Sequence, residues 1–329
     1  MADYNSIHTG AVIDTAITKT DFLLPSLSGI SLAATAHAFS ASDIGLTFFE
    51  DCQVIKAQDG LYYMFIDDFT GYSNNDIYCI SSTSPLFTSS TYLGKVITRP
   101  LSRVGGIVYD KINAEYIMYI SDKSVPSEGI HAYYIAEADF PDGAWADAGV
   151  ILPLGVAGSY DAYVVESMGN VFSNTAGTFV IPYDSYSSSL SAVLYWNLAF
   201  SSNPRGTFTK SDNNPIFQEK VSLTEFNPPL RGTRAILPLA NGYLCFFEEL
   251  NDAKTQWQIG AYFLDQSFSF RNYIQGSPFF IAANRGFVNC DSYYLDLTNK
   301  KLYLYYQSTI AGTAGNDFCQ QHVATFDIY

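Results

Sequence analysis

The sequence predicts an all-β protein folded as a five-bladed β-propeller. A strand phrase consisting of an apolar strand, a turn rich in Ser, Pro, Gly or Asp, and a second apolar strand begins at Ile77, Ala132, Leu194 and Ile259. A truncated fifth copy ends the chain at Tyr329. Recurring multi-strand units of roughly 50 residues are typical of propeller blades. The predicted blades lie near residues 47–100, 101–155, 156–220, 221–282 and 283–329.

Turn chemistry and residue usage support the same fold. A second phrase, in which a short turn separates two strands, lies between the copies; QVIKAQDGLYYMFI and RAILPLANGYLCFF are examples. Asp59-Gly60 and Asn241-Gly242 are the turn dipeptides most typical of β-hairpins. The chain contains 25 Tyr and 24 Phe, residue types that favour pleated strands. No long helix is expected after residue 20.

Charge and cysteine usage exclude several classes of function. The 329 residues carry a formal net charge of −15, with only 17 Lys and Arg, which argues against nucleic-acid partners and anionic membrane surfaces. No apolar stretch approaches the length of a membrane span. The five cysteines are widely spaced and form no CxxC pair, so we expect buried free thiols and folding in a reducing cytoplasm.

The first 46 residues differ from the rest of the chain. Residues 1–22 place Val12, Ile13, Ala16 and Ile17 at helical spacing. A helix this short would have to pack on the propeller or on copies of itself, which leaves a homo-oligomer open. Residues 23–46 are predicted to be a connector containing a strand that completes the last blade and closes the ring.

Acidic residues precede or enter the first strands of two blades. The first strand of each blade lines the central channel of a propeller, so polar residues at its N-terminal end converge. Glu50 and Asp51 stand before the apolar run of blade 1, and Asp161 and Glu166 stand at the start of blade 3. Paired carboxyls about 6.5–9.5 Å apart can hydrolyse glycosidic bonds, provided that one has a raised pKa.

Arginines recur at similar places. Arg103, Arg231 and Arg285 precede or enter the first strands of blades 2, 4 and 5, and Arg234 follows within blade 4. Guanidinium groups at the channel mouth would bind carboxylates. These carboxylates belong either to the protein itself or to an acidic sugar, and the sequence leaves both open.

Metal and cofactor sites have little support. His8, His37, His131 and His322 are not at ligand spacing, and no nucleotide-binding motif is present, so no cofactor is expected. Phe65–Asp76 is rich in oxygen ligands without the spacing of an EF-hand, which leaves a surface Ca²⁺ open.

The blade pattern resembles the five-bladed glycoside hydrolases of families 43 and 62. Asp51-Cys52-Gln53-Val54-Ile55 is similar to their blade-1 signature, apart from Cys52, and the resemblance implies that Asp51 is the general base. Asp161 lies where the resemblance places the general acid, and Glu166 is the second candidate. An Asp is expected before the apolar run of blade 2, where this chain has Arg103, Val104 and Gly105.

The N-terminal segment resembles the start of bacteriophage tail-fibre and tailspike proteins. The matching residues are His8, Thr9, Gly10, Ile13, Asp14, Ala16 and Ile17. The resemblance implies that residues 1–22 attach to other phage tail proteins and that the propeller binds host surface polysaccharide. The chain would then be made in the host cytoplasm, released by lysis and located in the virion.

Three functions are therefore compatible with the sequence. The first expectation is a phage tail protein that binds host glycan through its propeller. The alternative is a family-43-like glycosidase or capsule depolymerase, and a third is a structural tail component without a ligand. The arrangement of the carboxylates at the channel mouth separates the first two.

Overall fold

A computed structural model describes residues 29–329 of the chain, with gaps. The gaps are residues 69–75, 100–101, 123–127, 168, 174–178, 189–192, 221–232, 240, 251–256, 266–269, 275–276, 278–279, 283–284 and 311–318. Apart from two short 3₁₀ turns, at Ala41–Ile44 and Glu137–Asp139, the regular structure of the described residues is β-strand. In this part of the chain no helix has the length and apolar character needed to cross a membrane.

The strands form five antiparallel sheets, which are the five blades. The first strand in the chain, β1 (Ile30–Ser40), belongs to the last blade. Blade 1 contains β2 (Phe49–Lys56), β3 (Tyr62–Asp68), β4 (Ile77–Ser82) and β5 (Ser90–Ile97). Blade 2 contains β6 (Ser102–Asp110), β7 (Glu115–Asp122), β8 (Gly129–Ala136) and β9 (Ala146–Pro153). Blade 3 contains β10 (Val164–Ser167), β11 (Phe172–Ser173), β12 (Phe179–Tyr186), β13 (Val193–Ser201), β14 (Thr209–Lys210) and β15 (Phe217–Lys220).

The remaining two blades complete the ring. Blade 4 contains β16 (Thr233–Leu239), β17 (Gly242–Leu250), β18 (Trp257–Leu264), β19 (Phe270–Tyr273) and β20 (Phe280–Ala282). Blade 5 contains β21 (Arg285–Asp296), β22 (Lys301–Ile310) and β23 (Cys319–Ile328), with β1 as its outermost strand. The predicted all-β, five-bladed propeller is confirmed.

The N-terminal strand joins the two ends of the described chain. β1 pairs antiparallel with β23 from Ile30 opposite Ile328 to Ser40 opposite Gln320. Backbone hydrogen bonds of 3.0 and 3.2 Å link Gly29 and Tyr329 in both directions. The pairing covers the edge that β23 would otherwise expose. Residues 1–22, and their predicted helical spacing and attachment role, lie outside the described residues.

Hydrophobic layers between neighbouring blades hold the ring together. Ile117 of blade 2 packs in one buried cluster with Val165 and Ile181 of blade 3. The fully buried Tyr119 donates a hydrogen bond of 2.7 Å to the carbonyl oxygen of Pro204 across the same interface. Because the middle strands are covered on both faces, their apolar runs are nearly continuous. The five cysteines are all free and buried.

Interruptions in strand pairing recur near the start of the innermost strands. The register shifts at Asp51 in β2, at Gly105 in β6 and at Arg234 in β16. One extra residue at such a bulge bends the strand and redirects the neighbouring side chains. Bulges therefore shape the end of the channel at which the acidic residues were predicted to lie.

Candidate functional site

Four carboxyl groups surround one arginine at the N-terminal ends of the inner strands. Nη2 of Arg103 donates to Oε2 of Glu50 at 2.7 Å. Nε of Arg103 lies 3.0 Å from Oδ2 of Asp51, and Nη1 lies 3.6 Å from Oε2 of Glu166. Asp67 stands directly opposite Glu50 in the β2–β3 ladder. We call these five residues the Arg103 cluster.

The bulge in β2 orients Asp51. Its φ of 37° lies in the left-handed region, where Asp and Asn are the most tolerated residues after glycine. Phe49, two residues earlier, is held by blade 5, because its carbonyl oxygen accepts hydrogen bonds from Nε2 of Gln307 and from Sγ of Cys319. The start of β2 is therefore fixed on both sides of Glu50.

Contacts between blades 2 and 3 orient Glu166. The backbone N–H of its neighbour Ser167 donates to Oγ of Ser121 at 2.7 Å, and Oγ of Ser167 donates to the carbonyl oxygen of Gly105 at 2.9 Å. A Cβ atom on Gly105 would collide with Ser167, so only glycine permits this approach. The close fit brings Glu166 within reach of Arg103.

The cluster is largely shielded from solvent. The side chains of Arg103, Glu50 and Glu166 are 17%, 14% and 14% exposed to solvent, whereas that of Asp51 is 7% exposed. Burial alone would lower the pKa of the Arg103 guanidinium, but Asp51, Glu166 and Glu50 raise it above its ordinary value. Arg103 is therefore always charged, and its charge is shared among these carboxylates.

Asp67 differs electrostatically from the other acids. It is completely buried, and neither of its carboxyl oxygens has a hydrogen-bond partner among the described residues. Burial raises the pKa of Asp67 well above its usual range, and Asp51 raises it further, whereas Arg103 opposes the shift.

The structure separates Asp161 from the Arg103 cluster's ion pairs. Its Oδ2 lies 2.6 Å from Nζ of Lys210, and its Oδ1 accepts a hydrogen bond of 2.7 Å from Oγ of Ser159. Asp161 retains only 2% of its exposure. Of the two acidic residues that the sequence offered in blade 3, Glu166 therefore contacts the arginine shared with Asp51, and Asp161 pairs with a lysine of its own blade.

The arginines predicted at the channel mouth are only partly described. Arg231 lies outside the described residues, and the side chains of Arg234 and Arg285 do as well, so their ligand-binding role stays a prediction. Arg103 binds the protein's own carboxylates, which is one of the two roles that the sequence left open.

A series of buried acids at the ends of the second strands was not predicted from the sequence. Asp67, Asp122, Asp184 and Glu248 end the apolar runs MFID, MYISD, IPYD and CFFE, and all four are at most 5% exposed. An acid directly after a buried strand, repeated in four blades, was the signal that could have revealed them. Asp184 stands opposite Glu166 in the β10–β12 ladder, as Asp67 stands opposite Glu50.

One group among the described residues has the composition of a metal site, but an arginine occupies it. The ligand atoms of Asp122, Glu128 and His131 lie within 4.8 Å of one another. Nη2 of Arg99 lies 2.9 Å from Nε2 of His131, 3.4 Å from Glu128 and 3.5 Å from Asp122. The guanidinium therefore takes the position of a cation.

The surface Ca²⁺ that the sequence left open at Phe65–Asp76 is not tested by the described residues. Residues 69–75, within that segment, lie outside them. His37 and His322 face each other across β1 and β23, with ring centroids 5.5 Å apart, although the sequence did not predict this proximity.

We expect Arg99→Ala to lower the free energy of unfolding by about 1.5–3 kcal/mol, the cost of losing hydrogen bonds to charged groups. Arg99 is mostly buried and also donates to the hydroxyl of Tyr133 at 3.0 Å. Lys95→Ala is the matched control, because its 3.1 Å pair with Asp76 lies at the surface, and a loss below about 1 kcal/mol is expected. Urea unfolding measures both values. Equal losses would show that burial does not strengthen the Arg99 contacts.

Comparisons with known proteins identify the fold. No family model and no curated protein matches the chain. A family 117 glycoside hydrolase from Zobellia galactanivorans is similar in structure, with 16% identity, a TM-score of 0.59, and coverage of 92% of this chain and 90% of that chain. A thermostable family-43 glycoside hydrolase matches with 12% identity and a TM-score of 0.58 over 86% of this chain and 93% of the other.

A third structure belongs to the same group of propellers. An α-L-arabinofuranosidase from Podospora anserina, solved in complex with cellotriose, matches with 10% identity and a TM-score of 0.57. The match covers 92% of this chain and 98% of that chain. The fold therefore resembles glycoside hydrolase propellers of the family-43 and family-62 type, as the blade pattern predicted. Nothing in these comparisons indicates a bacteriophage tail protein.

Proposed function

We propose that this protein is a family-43-like glycoside hydrolase whose active site is the mouth of the Arg103 cluster. One observation carries the proposal: Asp51 and Glu166, from two different blades, contact the same guanidinium group. The glycoside hydrolases that share the fold support the reaction class, although the likeness itself concerns the fold alone.

The two carboxylates are no farther apart than the reaction allows. Their contacts to Arg103 measure 3.0 and 3.6 Å and end on nitrogen atoms of one guanidinium. These contacts and the width of the group keep the two oxygens below about 9.5 Å, the upper limit for carboxylates that activate a water on one side and protonate a leaving group on the other.

The contact distances also suggest the division of roles. Asp51 makes the shorter contact with Arg103, at 3.0 Å, and we assign it the role of the base. Glu166 makes the longest contact, at 3.6 Å, so a substrate hydroxyl replaces that contact at the lowest cost and leaves Glu166 able to hold a proton. Asp51 then removes a proton from water while the water oxygen bonds to the anomeric carbon. Glu166 gives its proton to the glycosidic oxygen as the old C–O bond breaks.

The charge of the site favours neutral sugars. Glu50, Asp51 and Glu166 share the single positive charge of Arg103, so the cluster has an excess of negative charge. An acidic sugar would be repelled, whereas the hydroxyl groups of a neutral sugar can donate to the carboxylates. This proposal replaces the expectation that Arg103 binds an acidic glycan.

A second candidate is a propeller that binds sugar without hydrolysing it. The observation in its favour is the pairing of Arg103 with both candidate carboxylates, because a nearby cation disfavours the protonated form that a general acid needs. The sugar-binding groups would be the same in both candidates, and only turnover separates them.

The test is a panel of neutral and acidic plant, algal and bacterial polysaccharides incubated with the purified protein. We expect new reducing ends from at least one neutral glycan. Binding without new reducing ends, measured by calorimetry on the same panel, would favour the second candidate. No binding and no products would contradict both.

The attachment to phage tail proteins and the host polysaccharide remain predictions made from the sequence. Attachment to phage tail proteins depends on residues 1–22, which the structure does not describe, and the proposed hydrolase does not require it. Recognition of a host surface polysaccharide is compatible with either candidate, since both act on a glycan.

A further inference from the structure

The Arg103 cluster contains more acid than its arginine can neutralise. Glu50 and Asp67 are directly opposite residues of the β2–β3 ladder, so their side chains lie on the same face of the sheet. Two carboxyl groups at this spacing do not both ionise without a large cost. Glu50 has the 2.7 Å contact with Arg103 and reaches solvent, so it is the member of the pair that keeps the charge.

The surroundings of Asp67 offer it no compensation. It is 0% exposed, and both of its oxygens lack a hydrogen-bond partner among the described residues. The titratable and charged groups near it are Glu50 and Asp51 on its partner strand, Arg103 on blade 2 and the thiol of Cys319 on blade 5. Of these four groups, Arg103 alone is positive, and the ion pairs that the described residues show for it go to Glu50, Asp51 and Glu166.

We propose that Asp67 is a neutral carboxylic acid in the folded protein and that its hydroxyl group donates a hydrogen bond to the carboxylates of the neighbouring strand. A buried carboxyl that ionises without a partner is costly, whereas a protonated one supplies the donor that an adjacent carboxylate accepts. Asp67 thereby acts as a positioning residue that holds the carboxylates of β2 toward Arg103. Its effect on turnover rests on the proposed function, and its protonation does not.

The first test measures the free energy of unfolding against pH for the wild type and Asp67→Asn. A carboxyl whose pKa is raised by folding contributes stability that is present below its unfolded pKa of about 3.9 and is lost as the pH rises through the folded value. Asparagine cannot ionise. We therefore expect the variant to match the wild type near pH 4 and to have the higher Tm at pH 8.

Asp68→Asn is the control, since Asp68 is the next residue of β3 and is half-buried. Any change common to both variants belongs to the loss of one acidic group from β3 and not to the burial of Asp67. An unchanged pH dependence in Asp67→Asn would show that folding does not hold Asp67 neutral and would overturn the inference.

The second test separates a positioning role from a merely structural one. Asp67→Asn keeps a hydrogen-bond donor, whereas Asp67→Leu removes it while keeping the branching at Cγ. We expect the ¹⁵Nε chemical shift of Arg103, followed by NMR, to be unchanged in the asparagine variant. In the leucine variant the signal should move, because the carboxylates of β2 lose the group that holds them toward the guanidinium.

The NMR readout does not require catalysis, so it decides the inference even if the protein binds glycan without hydrolysing it. If hydrolysis occurs, kcat/KM should follow the same order. Identical Arg103 signals in the asparagine and leucine variants, with both proteins folded by circular dichroism, would contradict the positioning role.

Discussion

Replacing Arg103 with Met is expected to lower the free energy of unfolding by about 3–5 kcal/mol, the cost of leaving buried charges without their partner. Arg103 contacts three carboxylates at 2.7, 3.0 and 3.6 Å and retains 17% of its side-chain exposure. Methionine fills the stem of the side chain but neutralises none of the acids. The inner ends of blades 1, 2 and 3 would then repel one another.

The loss should depend on pH. Protonation of the acids removes their repulsion, so the difference between wild type and variant should shrink between pH 7 and pH 4. Arg271→Met is the control, because Arg271 is 63% exposed and its 2.6 Å pair with Asp265 should contribute less than about 1 kcal/mol. A loss at Arg103 no greater than at Arg271, or one independent of pH, would mean that the cluster does not bind the blades together.

Replacing Asp51 with Asn should lower kcat/KM by about 10²–10⁴-fold, because the amide keeps the shape of the carboxylate but cannot accept a proton as a base. Asparagine suits the measurement for a second reason, since it tolerates the left-handed backbone that this position adopts. The loss should appear in kcat, with the dissociation constant of the glycan changed by less than tenfold.

Asp51→Ala separates chemistry from backbone strain. Alanine loses the base and also fits the φ of 37° poorly, so it should lower both turnover and Tm. If Asp51→Asn retained wild-type turnover, Asp51 would not be the base, whatever its contact with Arg103.

The repeat and the turns made the architecture predictable from the sequence. Propeller blades are local units, since each consists of strands that follow one another and pair with their neighbours, so a repeated phrase translates directly into a sheet. The hairpin at Asp59-Gly60 depends on residues adjacent in sequence, and the structure forms it with Gly60 at a φ of 86°. The closure of the ring is the exception to this locality, because β1 pairs with β23 from the opposite end of the chain.

The site was harder to predict because its members come from different blades. The starts of β2 and β6 placed Glu50, Asp51 and Arg103 at one end of the channel, and the structure brings them into contact. The choice between Asp161 and Glu166 depended on Lys210, which is remote in sequence.

The buried acids were missed for a related reason. Asp67 ends an apolar run, where a charged residue ordinarily marks the exposed end of a strand. Whether such a residue faces solvent or a neighbouring blade depends on packing between blades, which no local pattern encodes. The bulges that redirect Asp51 and Gly105 arise from the same packing.

The most direct test of the account compares product release by wild type, Glu166→Gln and Asp161→Asn on the same neutral glycan. All three proteins are assayed at a temperature where circular dichroism shows them folded. We expect Glu166→Gln to lose turnover by at least about 10²-fold while it still binds the glycan, because the glutamine cannot protonate the leaving group. Asp161→Asn should keep turnover within a few-fold, because Asp161 is bound to Lys210. Loss of turnover in Asp161→Asn with full activity in Glu166→Gln would contradict the assignment of the active site to the Arg103 cluster.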